Sequence, residues 1–183
     1  PCFCTRAQLH AAQAPNLGDH EPVYAGTCAR LTAEEIAERE KTRRPAMRMR
    51  VPDRDVSVVD GHYGAFTENL ARDCGDYIIR RSDGLYGYQL AVVVDDAAMG
   101  VTQVVRGEDL ASSTPRQLLL YRLLGLPAPE FIHLPLLLAP DGRRLSKRDG
   151  DVSLENLRAR YTAAEVVGKL AHAYGLNPTG EPR

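Results

Sequence analysis

The chain has 183 residues, 23 basic and 24 acidic side chains, and a formal net charge of −1. That length can bury one substantial core with a smaller appended module, and the near-neutral total gives no bulk electrostatic case for nucleic-acid binding, so only local clusters carry a charge signal. No apolar run approaches the roughly 20 residues that cross a bilayer and no charged-then-apolar leader opens the chain, so a cytosolic protein is expected.

Pro1, not Met, stands directly before a dense motif, Cys2-Phe-Cys4, so the sequence is expected to be a fragment. Residues 1–30 are polar, cysteine-bearing and without clear periodicity. Cys28 returns after a loop, and three cysteines at this spacing in a cytosolic chain favour a metal, zinc first, over a disulfide. Free thiols are the alternative. A fourth ligand could come from His10, His20 or Tyr24, the phenol being the rarest because its pKa near 10 makes deprotonation costly.

Thr32-Ala-Glu-Glu35 is a capping box that opens a helix through about Thr42, and Pro45 ends it. Met47 to Val51 alternates arginine with apolar residues as an edge strand does, and Pro52-Asp53 closes it. Arg43, Arg44, Arg48 and Arg50 form a basic cluster suited to phosphates or to a solvated strand edge. His62, in Asp60-Gly-His-Tyr-Gly64, makes no nucleotide signature, since no helix start follows. Cys74 stands alone and reads as structural.

A second strand is predicted at Asp76–Arg81. Tyr88–Met99 carries apolar residues at mixed spacing that suit a buried helix or a strand, with helix the expectation. Thr102–Arg106 reads as a strand, and Ser112 to Pro115 starts a helix whose apolar face includes Leu118, Leu119 and Leu123. With a third strand at 132–138 this makes a βαβ unit, and ligands of open α/β sheets sit beyond the carboxyl ends of the strands. Arg106 falls there, suited to a two-point contact with a carboxylate or to pairing with Glu108 or Asp109. Tyr88 could line the same pocket or simply pack in the core.

Ala139-Pro140-Asp141-Gly142 ends the last strand, and Arg143, Arg144, Lys147 and Arg148 then place four cations in six positions. An anion is their expected partner: a loop lysine can follow a moving phosphate as a point charge, and preorganised cations stabilise charge developing on a pyrophosphate leaving group. The tail is predicted helical around Ser153–Tyr161 and again after a second capping box, Thr162-Ala-Ala-Glu165, as far as Gly175.

The run from Val104 through Asp149, with Arg106-Gly-Glu-Asp-Leu110, Ser113-Thr-Pro-Arg-Gln117, His133-Leu-Pro135 and Arg144-Leu-Ser-Lys-Arg148, closely resembles the class I glutamyl-tRNA synthetase family. The likeness covers nearly the whole chain. Its basic loop matches the family's Lys-Met-Ser-Lys-Ser element, with Arg144, Leu145 and Arg148 replacing the outer Lys, the Met and the final Ser.

The resemblance implies an α/β fold: the C-terminal half of a Rossmann-type catalytic domain with a zinc-bearing inserted subdomain and a short helical tail. It implies a layout of 1–100 for the zinc-bearing, acceptor-binding part, 101–140 for the second Rossmann half, and 141–183 for the loop and tail. It also implies that Cys2, Cys4, Tyr24 and Cys28 bind zinc and that Tyr88 and Arg106 bind L-glutamate. Lys147 is the implied catalytic lysine of an ATP-binding loop formed by Arg144, Leu145, Ser146, Lys147 and Arg148. ATP with Mg²⁺, L-glutamate and tRNA are the implied partners of a monomer.

Within the family, the run Tyr88 to Asp96, Leu110 after Glu-Asp and the cysteine pattern look like a shorter paralogue, which glutamylates the queuosine base in the anticodon of tRNA(Asp). The full synthetase, which charges tRNA(Glu), is the alternative. The family's Pro-x-Gly-x-Leu-His-x-Gly element, with its own glutamate-binding arginine, is not in these residues, so the isolated fragment is expected to be inactive. A different class of alternative is a non-catalytic zinc module that binds RNA through Arg43–Arg50 and the late basic loop.

Overall fold

A computed structural model describes residues 1–11, 23–138, 153–176 and 179. The chain divides into two compact units, residues 1–106 with 110–133, and residues 107–109 with 134–183. Among the described residues no helix is long and apolar enough to cross a membrane.

The first unit starts with α1 (Arg6–Ala11), a helix hidden in the aperiodic opening stretch. In α2 (Ala33–Glu40) the expected capping box forms in both directions, Thr32 accepting from the Glu35 N–H and Glu35 from the Thr32 N–H. Strands β1 (Met47–Met49) and β4 (Tyr77–Arg80) pair antiparallel as a sheet of two.

Between them lies a hairpin that the sequence reading passed over: β2 (Asp55–Asp60) and β3 (Gly64–Asn69) pair antiparallel in unbroken register from Asp55↔Asn69 to Asp60↔Gly64. Its signals were present. Burial alternates strictly along β2, with Val56, Val58 and Asp60 inside and Asp55, Ser57 and Val59 outside, and Asp60-Gly61 is a hairpin dipeptide. The segment around His62 is therefore the turn of this hairpin. Asn69 closes it and caps the single turn α3 (Leu70–Asp73), its side chain accepting from the Arg72 N–H at 3.1 Å.

Helix α4 (Tyr88–Ala98) occupies the segment whose spacing was ambiguous. It is followed by β5 (Gln103–Gly107), a 3₁₀ turn at Glu108–Leu110, α5 (Ser113–Leu124) and β6 (Glu130–Leu134). Four strands form a mixed sheet in the order β3-β2-β6-β5, with β2 antiparallel to β3 and parallel to β6 at Asp60↔Phe131.

One strand boundary and one buried helix face differ most from expectation. The last strand runs 130–134 instead of 132–138, because Pro135 has no N–H to extend the ladder. The buried side of α5 is Thr114, Gln117, Leu119, Leu120 and Tyr121, whereas Leu123 is 55% exposed. Two polar residues displace Leu123 from that side because each has a built-in partner: Thr114 meets Arg106, and the Gln117 amide donates to Gln89 Oε1 at 2.9 Å.

The core gathers Val56, Leu70, Cys74, Tyr77, Val93, Leu119, Leu120, Tyr121 and Phe131. A smaller cluster holds Cys2, Phe3, Tyr24 and Cys28. In the second unit α6 (Leu154–Arg160) is capped by Ser153, and α7 (Ala163–Ala173) opens on the expected Thr162–Glu165 capping box. Gly175 follows at φ +72°, the left-handed geometry that ends helices.

Candidate functional site

Three strands deliver one constellation at their carboxyl ends. Asp60 is the last residue of β2, Arg106 the penultimate residue of β5 and His133 the penultimate residue of β6. His133 and Asp60 are fully buried, joined by a 2.6 Å hydrogen bond between Nδ1 and Oδ2. Arg106 donates from Nε to His133 Nε2 at 3.0 Å and from Nη2 to Thr114 Oγ1 at 2.7 Å. Its guanidinium carbon lies 5.1 Å from the centroid of the Phe131 ring.

Burial opposes ionisation of Asp60, but the Tyr63 N–H, the His133 ring and the N–H groups of His62 and His133 outweigh it and hold the carboxyl down at about 2. A buried carboxylate is tolerable only when hydrogen-bonded in this way. The guanidinium of Arg106 has its pKa lowered by burial, while Tyr88, Asp96 and Tyr121 act in the opposite direction. Arginine remains protonated across any ordinary pH.

Tyr88 is therefore beside Arg106. It is the first residue of α4, 51% exposed, following Gly87 as N-cap. Gly87 is demanded by close approach: a Cβ there would lie 2.4 Å from the Ile78 carbonyl oxygen. Arg106 bonds to His133 and Thr114, and this pair replaces the Glu108 or Asp109 partner considered from sequence.

The cysteines form a second constellation. The Sγ atoms of Cys2, Cys4 and Cys28 all lie within 4.8 Å of one another, and Cys4 and Cys28 are 3.6 Å apart. Thiolates on a tetrahedral zinc with bonds of about 2.3 Å stand about 3.8 Å apart. The donor set therefore fits such an ion with small adjustment.

Tyr24 Oη accepts the Cys28 N–H at 2.8 Å and lies 3.6 Å from Cys2 Sγ, within reach of a fourth corner. Its backbone pairs with Gly75 as an isolated bridge, and a Cβ at Gly75 would come within 2.8 Å of Tyr24 N and O. His20 lies outside the described residues, and the His10 side chain is not described.

Three thiolates on a divalent cation would sum to −1, and a compensating charge is at hand: the Arg48 guanidinium stacks 3.8 Å from the Tyr24 ring centroid and hydrogen-bonds Cys2. Burial raises the Cys2 pKa, yet Arg48, the Cys4 backbone and Tyr24 bring it down to about 7. Burial and the neighbouring thiols push Cys4 up to about 11, and burial raises Tyr24 as well.

In the basic cluster Arg43 and Arg50 donate to the carbonyls of Phe3 and Ala29 in the cysteine-bearing segment at 3.2 and 2.7 Å and Arg48 donates to that of Asp76 at 2.6 Å, while Arg43, Arg44 and Arg50 remain exposed. A cleft of about 590 Å³ has Cys2 and Cys4 in its wall and also Tyr88, with Arg43, Arg81 and Arg116 between. The loop Arg144, Leu145, Ser146, Lys147 and Arg148 lies outside the described residues.

Sequence reasoning missed Asp60, Thr114 and His133 as site residues. His133 interrupts an apolar strand and Asp60 ends an alternating one, so each is a polar residue at a strand terminus. That was the available signal.

A mixed sheet with a charged network at its strand ends and a strand–helix–strand unit beside it is an α/β arrangement of the kind that places ligands beyond the carboxyl ends of its strands, and the comparisons make it that of a class I synthetase catalytic domain. The crystal structure of glutamate-tRNA synthetase from Elizabethkingia anophelis is similar at TM-score 0.70 and 30% identity, over 91% of this chain and 38% of that one. The family model for tRNA synthetases class I (E and Q), catalytic domain, matches residues 1–180, and the chain belongs to that family.

Glutamyl-Q tRNA(Asp) synthetase of Symbiobacterium thermophilum is 53% identical over 188 residues, covering 100% of this chain and 57% of that protein. The protein of the same name from Nitratidesulfovibrio vulgaris is 51% identical with the same coverage. Glutamate–tRNA ligase 2 of Alkalilimnicola ehrlichii is 43% identical, over 99% of this chain and 38% of that protein. The chain thus spans little more than half the length of its relatives of the first name.

Proposed function

We propose that the chain is part of a cytosolic, monomeric enzyme that activates L-glutamate with ATP and transfers it to the queuosine base of tRNA(Asp). A glutamate carboxylate oxygen attacks the α-phosphorus of ATP and pyrophosphate leaves; a hydroxyl of the nucleoside then attacks the acyl carbon of the adenylate, taking the glutamyl group as AMP leaves. The observation carrying this reading is Arg106, clamped at the sheet edge beside Tyr88 in a chain matched by the family over residues 1–180. Arg106 and Tyr88 hold glutamate in place, so much of the catalysis is positioning.

Lys147, within the ATP-binding loop Arg144 to Arg148, stabilises charge on the departing pyrophosphate. Lys147→Ala is expected to lower ATP–pyrophosphate exchange about a hundredfold without changing metal content. Cys2, Cys4, Cys28 and Tyr24 would hold zinc, which supplies structural cross-linking of the opening segment. ATP arrives with Mg²⁺. The cleft arginines suit the phosphates of an incoming RNA.

The acceptor assignment is supported by relatives named for tRNA(Asp) at 53% and 51% identity. The 43% match to a glutamate–tRNA ligase supports a second reading, charging of tRNA(Glu). Full-length protein is to be assayed for glutamate-dependent exchange and then with queuosine-containing tRNA(Asp) and with tRNA(Glu). Transfer to the queuosine tRNA alone is the expected result. Acceptor-end charging of tRNA(Glu) would overturn it.

A further inference from the structure

The Asp60–His133 pair has no part in the site as read from sequence, yet every polar atom in it is committed. Asp60 Oδ1 accepts the backbone N–H groups of His62 and Tyr63 at 3.0 and 2.9 Å. Oδ2 accepts the His133 N–H at 3.1 Å and faces Nδ1 at 2.6 Å. On the other side of the ring, Nε2 faces Arg106 Nε at 3.0 Å. A guanidinium N–H can only donate.

Nε2 must therefore present its lone pair, and the ring proton belongs on Nδ1, pointing at Asp60. Tautomer follows from the donor inventory, with the carboxylate selecting it. Thr114 Oγ1 takes the Nη2 end of the same guanidinium at 2.7 Å, and the Phe131 ring, stacked within 7° of parallel to the His133 ring, lies under the guanidinium. Two nitrogens of Arg106 are thus fixed by buried groups, and the guanidinium also hydrogen-bonds the half-exposed Tyr88 side chain.

We infer that Asp60 and His133 are positioning residues for glutamate: Asp60 locks His133 in the Nδ1–H tautomer, and His133 with Thr114 sets the Arg106 guanidinium in the plane that receives the substrate carboxylate. The inference rests on the reading of Arg106 as a glutamate-binding residue. Neither Asp60 nor His133 touches substrate; each acts through Arg106.

Asp60→Asn isolates the effect. Its amide oxygen replaces Oδ1 in front of the His62 and Tyr63 N–H groups and, 3.3 Å from it, takes the His133 N–H that Oδ2 no longer accepts, which places the NH₂ against His133 Nδ1. The ring is driven to the Nε2–H tautomer, and two donors then meet where Arg106 was held. In full-length protein, long-range ¹H–¹⁵N correlation should report Nδ1–H in the wild type and Nε2–H in the variant. The glutamate KM in ATP–pyrophosphate exchange should rise about tenfold to a hundredfold, with the ATP KM within about twofold.

His133→Gln supplies the control, because a glutamine oxygen is an acceptor that needs no tautomer to be selected. In that background Asp60→Asn should cost no more than about twofold in glutamate KM, the signature of two residues acting as one unit. A wild-type Nε2–H tautomer would overturn the relay, and so would an equal cost of Asp60→Asn in both backgrounds. A wild-type enzyme with no glutamate-dependent exchange would instead overturn the reading of the site, while the tautomer measurement still reports on the relay.

Discussion

The two constellations are built on opposite principles. In the Asp60–His133 pair each polar atom is matched to another side chain or backbone group, and with Thr114 the pair holds two nitrogens of Arg106, so the geometry exists before any ligand arrives. In the cysteine set three thiols converge within 4.8 Å and their pKa values split, to about 7 for Cys2 and about 11 for Cys4. Such a set could be completed by a cation. Preorganisation suits a site that must meet substrate in one orientation; convergence suits one that staples a chain.

That contrast breaks first at Cys28. Cys28→Ser in the full-length protein should abolish stoichiometric metal, read by elemental analysis, yet leave the glutamate KM within about twofold if the two sites are energetically independent. A larger shift would mean that they are coupled. Arg106→Ala should reduce kcat/KM for glutamate at least about a hundredfold, since a buried charge-assisted contact is lost. Metal content should not move.

Acid provides a gentler probe. The Asp60 carboxyl falls from 3.8 to about 2 in the folded chain, so its contribution is present above about pH 4 and is lost as pH falls through about 2. The size is about 2 kcal/mol. Urea denaturation at pH 6 and pH 3 should show this pH-dependent component in the wild type and lack it in Asp60→Asn. Smallest is Tyr24→Phe: if the phenol is the fourth ligand, metal affinity should drop about tenfold, measured by chelator competition. Unchanged affinity would assign that corner elsewhere.

Legibility followed the distance over which a signal acts. Both capping boxes and the Gly175 helix end were readable because each is decided within one turn of chain; the stop at Pro135 was equally local and was overrun, because the apolar residues continue to Leu138. The cysteine set was readable as well, since its members return within a short span. His133 and Asp60 are 73 residues apart, and nothing in either neighbourhood names the other. The β2–β3 hairpin was missed for a different reason: Asp60-Gly61 was weighed as a ligand motif and not as a turn.

Resemblance supplied Tyr88 and Arg106, and the folded chain does bring them side by side. It could not supply what holds Arg106. That required the three strand ends to be seen together.

The alternation along β2 also has a bearing on handling the protein. Val56 and Val58 face the core, whereas Val59 is 81% exposed, and Val105 on β5 is 54% exposed. An antiparallel pair such as β2–β3 can leave one face to water, but that face is then normally polar. Bare valines on pleated backbone are a template for self-association, so a preparation limited to these residues should grow turbid with concentration, and Val59→Lys should keep it clear.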